Sequence, residues 1–182
     1  MINIKKLVTA AMCIALGIIL PIAFHAVPNA GGTFLPMHIP VLLCGIICGP
    51  IYGLACGLLT PFLSSLMTGM PPMAYLPSML CELAVYGLVS GLLMQLVHTK
   101  KNILDIYISL AGAMLCGRLV YGVLNALIFR AGAYSMAIWM TSAFVTSLPG
   151  IIIQVIAIPA LVFALQRAKL VERRYVGMGA KA

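Results

Sequence analysis

Two charged side chains interrupt long apolar runs of this sequence, and they are the first candidates for chemistry. Glu82 stands in the run 74–97, and Arg118 stands in the run 103–129. A charge near the middle of a bilayer costs roughly 2.5–3.5 kcal/mol on insertion scales, so it marks a candidate functional site. By the helical rise, Glu82 lies roughly 12 Å and Arg118 roughly 15 Å from the outer ends of their predicted helices. The matched depths favour a pair that joins two helices, binds a polar ligand, or does both.

Polar and aromatic side chains at helical spacing extend this candidate site. Two apolar, uncharged outer segments, 21–36 and 66–77, are predicted to fold over it as a lid, and an entirely structural role of these loops is the alternative. The pattern indicates a pocket open to the outside, of a kind that suits a small heterocycle or similar metabolite. Trp139 and Tyr75 have a second interpretation as interfacial belt residues, and His38 as a helix cap. The candidate substrate-binding residues are Glu82, Arg118, His25, His38, Asn29, Tyr75, Ser78, Tyr86, Tyr121, Asn125, Trp139, Thr146 and Ser147.

Two further polar residues are placed outside this pocket. Gln154 lies some 24 Å from the outer end of the last predicted helix, by the same rise per residue. Asp105 stands at the cytoplasmic end of its predicted helix, where a negative charge near the N-terminus is favourable. Neither residue is therefore expected to contact a ligand.

Motifs for catalysis and for energy conversion are absent from the sequence. It contains no G-x-x-x-x-G-K-[ST] phosphate-binding loop, no H-E-x-x-H zinc motif and no pair of intramembrane carboxylates. The 6 cysteines all fall within apolar runs, and no further Cys or His stands at zinc-like spacing from Cys44 and Cys48. We therefore predict a binding protein that is not an enzyme and has no catalytic residues, no cofactor and no metal.

The composition requires a lipid environment. Hydrophobic residues make up 63% of the 182 residues and charged residues only 8%. A soluble domain carries about a quarter charged residues, so soluble globular, disordered and nucleic-acid-binding classes are excluded. Runs long enough for helices of about 20 residues predict an all-α integral membrane protein with six transmembrane helices. These helices form a single membrane domain, 1–182, with approximate bounds 5–24, 35–49, 51–67, 74–97, 103–129 and 138–166.

The basic residues predict the orientation of the chain. Lys and Arg concentrate in cytoplasmic loops, and with six spans the three basic clusters of this chain fall on one side. Both termini are therefore predicted to be cytoplasmic, in a multi-pass protein of the cell membrane. The clusters are Lys5 and Lys6 at the start, Lys100 and Lys101 after the fourth span, and Arg167, Lys169, Arg173, Arg174 and Lys181 after the sixth.

Small residues recur every four positions on several predicted helices. This spacing lets helix backbones approach one another closely. Two interpretations stay open, which are internal packing of the bundle and a docking face for another membrane protein. The positions are Gly45, Gly49, Gly53 and Gly57 on the second and third helices, Gly87 and Gly91 on the fourth, and Ala11 and Ala15 on the first.

Three segments of the sequence carry a resemblance to a known family. The longest and most specific is FLPMHIPVLLCGIICGPIYGLACGLLTPFLSSLMTGMPP, and the other two are LVTAAMCIALGIILP in the first helix, with its Ala-x-x-x-Ala pair, and CGRLVYG in the fifth. The chain resembles the substrate-binding S components of energy-coupling factor (ECF) vitamin transporters over nearly its whole length, and the longest segment is similar to the second and third helices of one S-component group. The resemblance implies an S-component-like bundle in a bacterial plasma membrane.

The resemblance also implies a mechanism. An S component binds its substrate from outside with high affinity, under a closing first loop. It then associates with a transmembrane T component and two cytoplasmic ATPases, and topples in the membrane to carry its pocket to the inner side. Carried onto this chain, Ala11 and Ala15 would form the docking face, and 22–36 would form the lid.

Alternatives remain open for the class of substrate and for the class of function. If Glu82 and Arg118 neutralise each other, a neutral heterocycle is favoured, such as a pyridine, pyrimidine or deazapurine vitamin or precursor. If Arg118 is free, a carboxylate such as nicotinate or pantothenate fits better. The rival classes are a stand-alone secondary transporter or channel and a small integral membrane enzyme, although no nucleophile–base set is visible for the latter.

Overall fold

The computed structural model describes residues 4–23, 30–129 and 134–171, and over those ranges it contains helices and no strands. Six of the helical stretches are long and apolar enough to cross a membrane, which confirms the predicted all-α membrane fold. One of these stretches, Gly31–Cys48, joins most of a short helix to the longer helix that follows it. The helices are α1 (Ile4–Ala23), α2 (Ala30–Phe34), α3 (His38–Cys48), α4 (Pro50–Thr68), α5 (Leu76–Leu96), α6 (Asn102–Leu124), α7 (Met136–Met140) and α8 (Leu148–Arg167).

The structure divides the last predicted span, 138–166, into separate segments. α7 is followed by a π-helical segment, Thr141–Thr146, and a new helix begins at Leu148. Pro149 in the first turn of α8 has no backbone N–H, so it cannot continue the hydrogen-bond ladder of the preceding turn. The part of this region with membrane-spanning length is therefore α8 alone.

A sharp reversal separates α3 from α4, at the Gly49-Pro50 signal of the sequence. Gly49 has φ 100°, a conformation that residues with a Cβ rarely adopt. Pro50 is the first residue of α4, where its missing N–H leaves no helical hydrogen bond unmade. These two residues therefore turn one apolar run of the sequence into two antiparallel helices.

The glycine repeat brings α3 and α4 into direct contact with α5. A Cβ on Gly53 would overlap the backbone carbonyl of Gly87, and a Cβ on Gly87 would overlap that of Gly53. Gly57 meets the backbone of Leu83 in the same way, and Gly91 meets that of Pro50. Of the two interpretations of this repeat, the structure therefore shows internal packing for these glycines.

Helix α1 packs on α3 and α4 through one face and leaves the opposite face open. Its buried residues are Ala10, Cys13 and Gly17. Ala11 and Ala15 are exposed, on a surface that also carries large apolar side chains. Within the described ranges, the Ala-x-x-x-Ala pair therefore lies outside the packed face of α1.

Four of the cysteines are buried in the helical core. These four pack from α1, α3 and α4, whereas Cys81 is half-buried and Cys116 is exposed. Within the described ranges, no group of three or more His, Cys, Asp or Glu side chains is arranged to hold a metal ion. The four buried thiols are Cys13, Cys44, Cys48 and Cys56.

Asp105 closes the opposite end of the bundle. Its side chain is fully buried and accepts hydrogen bonds from the Thr99 backbone N–H (2.9 Å) and hydroxyl (2.6 Å). This carboxylate lies in the first turn of α6, as expected of a charge that interacts with the helix N-terminus.

Candidate functional site

Glu82 and Arg118 meet between α5 and α6. Oε1 of Glu82 lies 3.1 Å from Nη1 of Arg118, and the two side chains are 4% and 8% exposed. The two side chains carry opposite charges among apolar helices, so their contact lowers the free-energy cost of burying both. The matched depths in the sequence therefore correspond to a contact in the structure.

His38 and Tyr86 complete a cluster around the carboxylate. Nε2 of His38 lies 3.8 Å from Oε1 of Glu82, and its ring meets the ring of Tyr86 edge-on at 5.0 Å between centroids. Tyr86 is fully buried, and Gly117 makes room for it because a Cβ there would lie 3.0–3.2 Å from the tyrosine ring. His38 begins α3, so three helices supply this cluster.

Several polar atoms of this cluster have no hydrogen-bond partner among the described residues. They are both ring nitrogens of His38, the hydroxyl of Tyr86, Nε and Nη2 of Arg118, and Oε1 of Glu82, which meets Arg118 as an ion pair. Buried polar groups in native proteins nearly always have a partner in protein or ordered water, so this concentration of unpaired groups marks a candidate site for bound water or a ligand. Nε–H and Nη2–H point along one edge of the planar guanidinium, which makes that edge a bidentate donor.

Trp139, on α7, packs against α6 at the residue that supplies the arginine of the cluster. Its indole N–H donates a hydrogen bond to the backbone carbonyl of Arg118 over 3.1 Å. Gly122 lies beneath the ring, because a Cβ there would come within 2.7 Å of the Trp139 Cδ1 atom. The ring also meets Phe144 edge-on at 5.7 Å. Trp139 is therefore packed against α6, and a role limited to the interfacial belt does not describe it.

Three further predicted site residues are buried but make hydrogen bonds within their own helical region. The Ser78 hydroxyl donates to the backbone carbonyl of Tyr75 over 3.0 Å. The Asn125 amide donates to that of Tyr121 over 2.8 Å, and the Ser147 hydroxyl donates to a carbonyl one turn earlier. Each of these hydrogen bonds goes to a backbone carbonyl three or four residues earlier in the chain.

The remaining predicted site residues are more peripheral or are not described. Tyr75 is 46% exposed, which is compatible with its alternative as a belt residue. Tyr121 and Thr146 are half-buried. His25 and Asn29 lie outside the described residues.

Gln154 is a buried polar residue that the sequence reasoning left out of the pocket. It is fully buried, and neither its Nε2 nor its Oε1 has a hydrogen-bond partner within the described part of the chain. Because α8 begins at Leu148, Gln154 lies only about 9 Å along its axis, as far as Glu82 lies from Leu76. The signal that was available is a lone amide in an otherwise apolar run. The depth of 24 Å assumed a helix that is in fact broken.

The short helix α2 lies over the start of α8. A Cβ on Gly150 would come within 2.7 Å of the Thr33 carbonyl oxygen and 2.8 Å of the Phe34 backbone. Gly150 thus permits a close approach of the first loop to the bundle, at the end where α3, α5 and α8 begin. Part of the segment predicted as a lid is therefore folded against the bundle.

Comparison with known protein families gives an independent assignment. The model of one family, described as the substrate-specific component of ECF transporters, matches residues 5–162. The match extends from α1 into α8 and includes every member of the Glu82–Arg118 cluster. The comparisons with curated proteins and with solved structures found no match. The family consists of transporter components and is not an enzyme family. With six membrane-length helices and a match over most of its length, the chain belongs to the family of substrate-specific components of ECF transporters.

Proposed function

We propose that this substrate-specific subunit captures a small neutral heterocycle, a vitamin or a vitamin precursor, at the cluster of Glu82, Arg118, His38 and Tyr86. The observation that carries the proposal is the buried ion pair whose arginine keeps two unpaired donors. Nη1 of Arg118 is engaged by Glu82, while Nε–H and Nη2–H have no partner among the described residues. A carbonyl or ring nitrogen of a ligand would accept from these donors.

The charge balance of the cluster favours a neutral ligand over a carboxylate. Glu82 already supplies one negative charge to Arg118, and at 4% exposure its side chain is poorly screened by solvent. A second carboxylate on the free edge of the guanidinium would repel Glu82 in a medium of low dielectric. An uncharged acceptor gains the hydrogen bonds of Arg118 without that repulsion. The aromatic ring of Tyr86 and the imidazole of His38 offer surfaces suited to a flat ring.

Delivery of the substrate is proposed to depend on a transmembrane T component and two cytoplasmic ATPase subunits, in the plasma membrane of a bacterium. The support on this chain is the exposed Ala11 and Ala15 pair on α1, which is not used for internal packing. Close contact between helices in membranes favours such small residues. We also propose that both termini are cytoplasmic, and fluorescent and alkaline phosphatase fusions at each end would test that orientation.

The experiment that tests the ligand class compares isosteric probes by calorimetry on the purified chain. Nicotinamide and nicotinate share a ring and differ in an amide against a carboxylate, and pyridoxine, a hydroxymethylpyrimidine and a deazapurine extend the series. The wild type is expected to prefer neutral members. The Glu82→Gln variant removes the competing charge, so its preference is expected to move toward carboxylates. A wild type that binds carboxylates best, or a Glu82→Gln variant with unchanged preference, would contradict the proposed charge balance.

The rival functions predict different experimental results. Substrate movement into liposomes by the reconstituted chain alone would support a stand-alone secondary transporter or channel. Turnover of a lipid or peptide by the pure protein would support a membrane enzyme. Uptake that requires the T component and ATP supports the proposal.

A further inference from the structure

Gln154 is the buried polar residue for which the cluster of Glu82 and Arg118 does not account. Its side chain is fully buried, and both its donor and its acceptor are unpaired among the described residues. A primary amide in this condition loses its hydrogen bonds to water without replacement, which is a substantial penalty to the folded state. A bound partner for this amide would remove that penalty.

Gln154 lies toward the same end of the bundle as the cluster. It belongs to the inward face of α8, where buried residues recur at Gly150, Gln154, Ile158 and Val162. α8 packs against α3, which begins with His38, and against α6, which carries Arg118. Gln154 also lies as far into its helix as Glu82 lies into α5, about 9 Å by the helical rise.

We propose that Gln154 is a specificity-determining residue, and that its amide binds a donor–acceptor edge of the substrate. This inference rests on the proposed function and adds the chemistry of a second contact. A carboxamide presents a donor and an acceptor side by side, and it pairs with rings that offer the complementary pair, as glutamine does with adenine. The substrate class is therefore a heterocycle with a lactam, a primary amide, or an amino group beside a ring nitrogen. Arg118 contacts a separate acceptor of the same molecule.

The chain offers a matched control for Gln154 on the same face of α8. Gln166 is also buried, but its Oε1 accepts a hydrogen bond from the Asn102 amide over 3.1 Å. Replacing Gln166 by leucine leaves the Asn102 amide without its acceptor. Replacing Gln154 by leucine instead removes the free-energy cost of burying an amide without hydrogen bonds. The two substitutions are therefore expected to change stability in opposite directions.

The test measures thermal stability without ligand and binding by calorimetry in Gln154→Leu, Gln154→Glu and Gln166→Leu. The probes with the required edge are nicotinamide, 4-amino-5-hydroxymethyl-2-methylpyrimidine and 7-deazaguanine, which are all neutral near pH 7. Nicotinate and pyridoxine lack it. The wild type is expected to bind an edge-bearing probe best. Gln154→Leu should weaken that binding about tenfold or more while raising the ligand-free melting temperature. Gln154→Glu should also weaken it, because the amide donor becomes an acceptor.

Gln166→Leu should lower the melting temperature and leave the affinity within about twofold. Binding that is lost in Arg118→Met but unchanged in Gln154→Leu would overturn the role of Gln154 and leave the proposed function standing. Preference for nicotinate or pyridoxine would overturn the assigned edge. No binding of any probe would overturn both the edge and the proposed ligand class.

Discussion

The indole N–H of Trp139 donates a hydrogen bond to the backbone carbonyl of Arg118 over 3.1 Å. Trp139 is the one tryptophan of the chain, so its fluorescence reports on the residue at the centre of the candidate site. Gly122 and Phe144 hold the ring against α6 from two sides. A ligand that engages the Arg118 side chain is expected to change the surroundings of this indole.

Binding of substrate is therefore expected to change the tryptophan emission of the purified chain. Titration with the bound probe should give a saturable change in intensity or wavelength, with the same midpoint as calorimetry. Trp139→Phe should lose the signal and keep binding within about tenfold, since one neutral hydrogen bond is worth about 1 kcal/mol. Emission that stays constant through a calorimetrically proven titration would count against a ligand at Arg118.

The Glu82–Arg118 pair predicts a non-additive effect on stability. Arg118→Met alone leaves Glu82 buried without its partner, so it should lower the free energy of unfolding by about 3–5 kcal/mol. Glu82→Leu combined with Arg118→Met removes both charges, and the double variant should be nearly as stable as the wild type. Thermal unfolding in detergent measures both. Equal destabilisation by the single and double variants would show that the pair is not the source of the loss.

The contact between Gly53 and Gly87 predicts that even one methyl group is too large for either position. Gly53→Ala places a Cβ against the Gly87 carbonyl, and overpacking of this kind costs about 1–3 kcal/mol. Melting temperature and retention on size exclusion provide the readout. Gly31→Ala is the control, because no atom lies within 4 Å of a Cβ at that position. A melting temperature of Gly53→Ala equal to that of the wild type would contradict the close approach of α4 and α5.

The exposed pair on α1 predicts a variant that separates substrate binding from transport. Ala15→Trp adds bulk to a surface that the bundle does not use, so substrate affinity of the isolated chain should stay within about twofold. Co-purification with the T component and cellular uptake should both fall about tenfold or more, because close helix contact needs small residues. Ala111→Trp, at another exposed position on α6, is the control. Normal uptake by cells with the Ala15→Trp variant would contradict the proposal that α1 is the docking face.

The pairing of Glu82 and Arg118 was predictable because depth along a helix follows directly from residue number. Both residues lie in uninterrupted helices, so the count of residues gave compatible depths. The depth of Gln154 was counted along one continuous helix from 138, whereas α8 begins at Leu148, so that count does not apply to it. Pro149 is the sequence signal next to the break before α8, but a single proline does not give its position as clearly as Gly49-Pro50 gives the turn between α3 and α4. The π-helical turn Thr141–Thr146 has no comparable signal of its own.

Spacing alone also left the role of the small residues open. Gly53 and Ala15 follow the same four-residue pattern, yet Gly53 faces another backbone and Ala15 is exposed. Which face of a helix is covered depends on the arrangement of its neighbours, and the sequence of one helix does not contain that information. Tyr86 illustrates the same point, because its place beside His38 requires the turn that brings α3 against α5.

Native mass spectrometry of the detergent-purified chain tests the central claim most directly. The account predicts one small molecule per wild-type chain, with the mass of a neutral nitrogen heterocycle. The Glu82→Leu/Arg118→Met double variant should remain folded and carry none. A ligand retained equally by the wild type and by this folded double variant would contradict the account, because binding would then not depend on the Glu82–Arg118 site.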